Sequence, residues 1–358
     1  MNHRERFAAI MNFKPVDRVP VYYFGTWDET RVRWEDEGLK TLPEVPGLDP
    51  DWERGMWDCH GLVNTRAITD RKAVVLEETD DHRVVRTALG AVIREGKHGS
   101  SIPMHVEEAL KPTRAAWREF KKMLDTTDPR RRPAGWEAQA AQVDKRERVT
   151  TFLAGSLYGW PRDWMGVEAW SLLAYDDPAL YGEIIEFIAD YFIALYTPVL
   201  KKVRFEFGYF FEDCCFKNGP LFSPDIFRTY YMQHYRRLNA FYHKAGVPLM
   251  LVDSDGKVDQ LVPLWLDAGF DIIFPIEVGT WKGNPVAFRK EYGKRIRIFG
   301  GVDKNVFPQG AAAIRKELKP LVPVVREGGF IPIPDHRIPP DCSLADFKTY
   351  IEVFNRNL

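Results

Sequence analysis

The chain has 358 residues, 45% hydrophobic and 28% charged, with 50 Lys+Arg against 51 Asp+Glu and a formal net charge of −1. That balance supplies a large core and leaves no long-range attraction for nucleic acid or an anionic membrane, so neither is expected as a main partner. Four cysteines, two of them adjacent, make no disulfide framework, and no apolar run approaches the ~18 residues of a membrane span, so a cytoplasmic protein is expected.

The N-terminal MNHRERFAAIMNFKPVDR lacks the apolar core of a signal peptide and reads as an extension ahead of VPVYYFGTW (19–27), a first strand. Residues 73–96 alternate like an antiparallel β-hairpin turning near Asp80 and Asp81, expected as an insertion over one rim. The stretch 111–148 is charged and contains proline, which suits helices and loop. From about residue 150 one unit repeats: a short apolar run, polar residues, a capped helix. VTTFLAGSLYGW leads to a helix capped by Asp177 and begun by Pro178. FGYFFEDCCF leads to one that Ser223 caps and Gly246 ends. GVPLMLVDSDG, FDIIFPIEVG, RIRIFGGV and GGFIPIPD each precede a further helix, the last opened by Ser343. Strands apolar on both faces, alternating with helices, mean a parallel sheet covered by helices. With 19–27 the series is long enough to close as a (β/α)8 TIM barrel, one domain over residues 1–358.

In such a barrel the strand C-termini share one face, where active sites are built. Those ends carry Tyr22, Tyr23 and Trp27; Ser156, Tyr158 and Trp160; Glu212 and Asp213; Asp253 and Asp255; Glu277; Asp303; and Asp335 with His336. Seven carboxylates in one mouth raise one another's pKa or recruit a cation. In LVDSDGK the period of two puts Asp253 and Asp255 on one side of a strand. With His336 they make a three-ligand metal site with an open position; the plainer alternative has one Asp capping the next helix and the other pairing with Lys257. Gly256 permits a sharp turn or the approach of a ligand. His336 stands in IPIPDHRIPPD, where four prolines restrict the backbone around the imidazole; the other seven histidines fall outside the strand ends. His336, Asp253 and Asp213 are therefore the candidate catalytic groups. Tyr23, Trp27, Arg162, Glu212 and Glu277 are candidate substrate contacts, as are Tyr158 and Trp160, which would equally serve as core filling. Cys214 and Cys215 match no zinc spacing and are expected to pack.

Taken in order, DRVPV, GSLYGW with DDP, EDCCFKNGPLFSPDIF, DSDGK, AGFDIIFPIE, FGGVDK and GGFIPIPDHRIPPD resemble the uroporphyrinogen decarboxylase superfamily over nearly the whole chain. The resemblance implies a (β/α)8 barrel with its site at the strand C-termini, and homodimer formation. It also implies one of two chemistries: a cofactor-free decarboxylase, or a corrinoid-linked methyltransferase, many of which are zinc-dependent. True decarboxylases carry an arginine-rich RQAGR segment after the first strand; here the chain reads YYFGTWDE, and an acidic mouth repels a polyanion. Thiol-activating methyltransferases have His-x-Cys where this chain has Asp253 and Asp255, and a later Cys near His336, so its oxygen donors are harder. The resemblance therefore points to a substrate-side methyltransferase of the O-demethylase type. It would move a methyl group from a small methoxylated or methylated compound to the cobalt of a partner corrinoid protein. A divalent metal such as zinc, or an acid, would polarise the leaving oxygen. The alternatives are a decarboxylase-like lyase, with Asp213 or Asp253 protonating a carbanion, and a binding barrel without catalysis.

Overall fold

The apolar runs of the second half become strands buried on both faces of one parallel sheet. The computed structural model describes residues 1–41, 45–97 and 103–358. Its strands are β1 (Glu53–Gly55), β2 (Val74–Glu78), β3 (His82–Arg86), β4 (Val92–Gly96), β5 (Met104–Glu107), β6 (Thr150–Gly155), β7 (Phe207–Phe211), β8 (Cys215–Phe216), β9 (Gly219–Pro220), β10 (Met250–Asp253), β11 (Ile272–Ile276), β12 (Arg297–Val302) and β13 (Phe330–Pro334). The main sheet has seven strands in the order β1-β6-β7-β10-β11-β12-β13, parallel throughout. Parallel neighbours need crossovers, and helices supply them, among them Pro178–Val199 and Met232–Lys244. The caps read from sequence are present. Asp177 accepts from Leu180 N ahead of Pro178, Ser223 accepts from Ile226 N, and Ser343 closes a capping box with Asp346. Pro332 and Pro334 are tolerated in β13 because it is a terminal strand of the sheet.

The sheet curls. In a flat sheet β1 and β12, five positions apart, would be separated by about 24 Å. Instead Trp52, next to β1, stacks on Phe299 of β12 with ring centroids 5.2 Å apart, and Phe207 of β7 meets the same ring edge-on at 6.3 Å. The N-terminal helix His3–Met11 fills the end where the strands begin, with Phe7 placed 5.5 Å from Phe207 and 6.1 Å from Phe299.

Two expectations are corrected. Residues 19–27 form no strand: they make one isolated parallel bridge, Thr26 to Ile338. Gly25 stands at φ +127°, and the Asp49 carboxylate, held by Arg18 at 2.5 Å, takes the Val21 N–H at 2.9 Å that a neighbouring strand would use. The described residues thus form a curled seven-stranded sheet, without the ladder of an eighth strand. The hairpin turning at Asp80 and Asp81 is there, with Thr79 N bonded to His82 O at 2.8 Å. It is half of a four-stranded antiparallel sheet, β2-β3-β4-β5, whose outer strands carry few core-facing residues to mark them in sequence. Among the described residues no helix is long and apolar enough to cross a membrane.

Candidate active site

Register fixes which side chains enter the curled interior. Tyr209 pairs with Leu251, and Leu251 with Ile272. One layer on, Phe211 pairs with Asp253, and Asp253 with Phe274. Phe274 contacts Trp52 across the curled sheet and Phe299 of the neighbouring β12, so this face is the interior, and Asp253 and Tyr209 share it. On β1, Arg54 pairs with Thr151, which pairs with Phe207, so Arg54 points inward too.

Beyond the strand ends the acidic groups converge. Ligand atoms of Asp255, Glu277 and His336 all lie within 4.8 Å of one another. His336 Nε2 is 3.0 Å from Asp255 Oδ2. Glu277 accepts from Gly256 N at 2.6 Å and from Thr280 Oγ1 at 2.9 Å, which fixes its carboxylate toward the pair. Phe24 stacks on the imidazole at 4.9 Å, and Trp27 tilts against it at 5.7 Å. Gly256 stands at φ +87°, and a Cβ there would lie 2.8 Å from the Cys215 backbone. Its job is to let the β7 loop lie against the Asp255 turn. Asp213 sits in the left-handed region at φ +46°, with its Oδ1 3.3 Å from Asp255 N and its Oδ2 3.3 Å from Arg162.

The metal triad expected from sequence was Asp253, Asp255 and His336. The structure groups Glu277, not Asp253, with the other two. β10 ends at Asp253, so strand alternation stops there and Asp255 turns away toward His336. Asp253 stays in the interior at 9% exposure. The donor set fits a divalent ion: one imidazole nitrogen and two carboxylates from three different strand ends. Asp255 Oδ1 is buried with no hydrogen-bond partner, an orphaned acceptor that a cation would satisfy.

Other predicted contacts are used elsewhere. Glu212 is fully buried, and its oxygens accept from Leu157, Tyr158 and Gly159 N at 2.7–3.1 Å. It caps the helix Gly159–Met165. Trp160 packs on Trp164, Tyr191 and Phe192, and Tyr158 on Phe222 and Tyr231, so both belong to the helix layer. Tyr23 leans on Phe347 of the C-terminal helix; Phe24 is the residue that meets the imidazole. Asp335 is fully buried and accepts from Val278 N, Gly279 N and Lys304 Nζ at 2.7–3.0 Å. Cys214 and Cys215 are buried, as expected. The sequence reading missed Phe24, Arg54 and Tyr209. Only the aromatic run at 22–24 offered a signal for the first.

The acids crowd one another. Burial first, and then repulsion from Asp255, raises Asp253 and Asp213; burial and Asp255 also raise Glu277. Burial pushes Asp51 and Glu212 up to about 7. His336 is drawn down by burial, but the hydrogen bond and charge of Asp255 and the charge of Glu277 outweigh it and hold it above 6.5. Groups with raised values bind protons more tightly folded than unfolded. Their stabilisation is complete below the ordinary carboxyl values of 3.8 and 4.5 and lost as pH climbs to about 7. With chelator present, the melting temperature is expected to fall between about pH 5 and about pH 8; a rise over that interval would show that these acids are ionised without cost.

Residues 154–356, more than half of the chain, match the sequence model of the uroporphyrinogen decarboxylase (URO-D) family. The chain belongs to this family. In fold it is similar to a methyltransferase from Methanosarcina mazei, at 12% identity and a TM-score of 0.58, with 99% of each chain covered. A B12-independent methionine synthase from Shewanella sp. W3-18-1 matches 63% of this chain and 65% of its own, at 11% identity and a TM-score of 0.38. No curated protein matches significantly. The URO-D match spans β7 through β13, and so every strand end that contributes to the Asp255–Glu277–His336 cluster.

Proposed function

We propose that this URO-D family member is an enzyme of the methyltransferase type. It would take a methyl group from a small methoxylated or methylated compound and deliver it to the cobalt of a corrinoid protein. The observation that carries the reading is the cluster of Asp255, Glu277 and His336 beneath Phe24 and Trp27. Its likeness in fold to a methyltransferase agrees with it. The decarboxylase reading is weakened by the mouth itself. Asp213, Asp253, Asp255 and Glu277 crowd there, a poor host for a substrate carrying many carboxylates.

Asp255, Glu277 and His336 would hold a divalent ion, the two carboxylates balancing its charge. When bound, such an ion supplies Lewis-acid polarisation of the oxygen that loses the methyl group. The rest falls to this chain's own side chains. Thr280 and Gly256 N orient Glu277, and Phe24 fixes the plane of the imidazole and, with Trp27, keeps water from it. A corrinoid, when bound, would supply the acceptor for the methyl group, and the electron pair of the broken C–O bond would stay on the substrate oxygen. Asp253, whose burial favours the protonated carboxyl, is the interior group able to supply that oxygen with a proton.

The test is incubation of zinc-loaded protein with cob(I)alamin and a panel of methoxyarenes and methylamines, followed by visible absorbance. Methylcobalamin and an equal amount of demethylated product are expected. No transfer from any member of the panel, with carbon dioxide released from a carboxylated one, would replace this reading with the lyase.

A further inference from the structure

Among the described residues Arg54 is a cation without an ion-pair partner. It enters the interior from β1, and its guanidinium carbon stands 5.1 Å from the Trp52 ring centroid and 5.9 Å from that of Phe274. Among the described residues it makes no hydrogen bond or ion pair, whereas Arg162 and Lys304 are both engaged with carboxylates. Asp51 and Asp253 feel its charge but neither comes within ion-pair distance. Tyr209 from β7 is only 3% exposed, and its hydroxyl is buried with no hydrogen-bond partner, close enough for the Arg54 charge to act on it. The buried idle hydroxyl is costly unless a ligand satisfies it, and the half-buried Arg54 guanidinium offers the same ligand a charged donor.

An aromatic wall joins this point to the acidic cluster. Phe274 lies under the guanidinium, Phe24 stacks on Phe274 at 5.1 Å, and His336 stacks on Phe24 at 4.9 Å. Two rings separate the cationic end from the metal-binding end. We propose that Arg54 and the Tyr209 hydroxyl bind a carboxylate of the substrate. The methyl donor is then a planar aromatic carboxylate lying along Phe274 and Phe24, with its methyl-bearing group toward His336. This rests on the methyl-transfer reading for the reacting end alone; recognition of the anion by Arg54 does not depend on it.

Calorimetric titration of the zinc-loaded protein with benzoate, 4-methoxybenzoate and 4-methoxybenzamide tests it. Wild type is expected to bind the two carboxylates at least about tenfold more tightly than the amide. Arg54→Gln erases that preference, Arg54→Lys keeps part of it, Tyr209→Phe weakens the carboxylates a few-fold, and His336→Ala retains it. Equal binding of acid and amide by wild type overturns the proposal. So does a preference that persists in Arg54→Gln but vanishes in His336→Ala, since the metal ligands would then be holding the carboxylate. If Arg54 selects carboxylates while no methyl reaches cob(I)alamin, the assignment of Arg54 stands and the methyl-transfer reading falls.

Discussion

Replacing Glu277 by glutamine, or His336 by alanine, is expected to weaken zinc binding by at least about 100-fold, since even the supporting partner of a metal ligand is worth roughly 10–100-fold. Asp255→Asn should do the same, because its Oδ2 lies against His336 Nε2 and its Oδ1 is the orphaned acceptor. Asp253→Asn should lower affinity by less than about tenfold, since Asp253 lies outside the cluster and its burial favours the neutral, protonated carboxyl. The contrast between Glu277 and Asp253 decides between the triad seen in the structure and the one suggested by strand alternation. Competition against a chromophoric chelator measures it. The same titration carries a pH signature. The imidazole must be neutral to bind a metal, and Asp255 and Glu277 favour its protonated form. Zinc affinity should therefore fall as pH drops. Glu277→Gln binding zinc like wild type while Asp253→Asn does not would restore the sequence-based triad.

Replacing Asp335 by asparagine is expected to cost about 3–5 kcal/mol of stability, the range for breaking one partner out of a buried ion pair. Asp335 Oδ1 meets Lys304 Nζ at 3.0 Å, and Oδ2 accepts from Val278 and Gly279 N at 2.8 and 2.7 Å. An amide would turn a donor toward at least one of these donors and leave the Lys304 ammonium uncompensated at 11% exposure. The fit is close: a Cβ on Gly279 would stand 3.3 Å from the same carboxylate oxygen and 2.5 Å from Asn305. Urea denaturation of D335N beside Asp341→Asn, an exposed aspartate in the same segment, separates the effects. The exposed change should stay within about 0.5 kcal/mol, and comparable loss in both would show that the buried cradle is not what holds the loops after β11 and β12 together.

How much of this was legible depends on how local the signal is. Helix starts at Asp177, Ser223 and Ser343 could be read because a cap is a matter of a few residues. The parallel sheet followed from short doubly apolar runs, and His336 from its prolines. That same double apolarity hid which way residues face at a strand end: nothing in GSLYGW told Tyr158 and Trp160 that they would pack under helices. Alternation was carried two residues too far at Asp253, where β10 stops, so Glu277 was assigned to substrate rather than to the cluster. Arg54 left no trace, because β1 is only three residues, ERG, without an apolar run. VPVYYFGTW looked like a strand by composition, yet the Asp49 carboxylate, 28 residues beyond Val21, claims its backbone. That competition is invisible until the chain is folded.

The most direct measurement is a cobalt(II) titration of the wild-type protein, followed by visible absorption and by X-ray absorption at the metal edge. One ion per chain, in a shell of mixed oxygen and nitrogen donors with a single imidazole, lost in both E277Q and H336A, is the expected result. A spectrum indistinguishable from aqueous cobalt(II), or a bound ion whose shell contains no imidazole, would contradict the assignment of Asp255, Glu277 and His336 as a metal site.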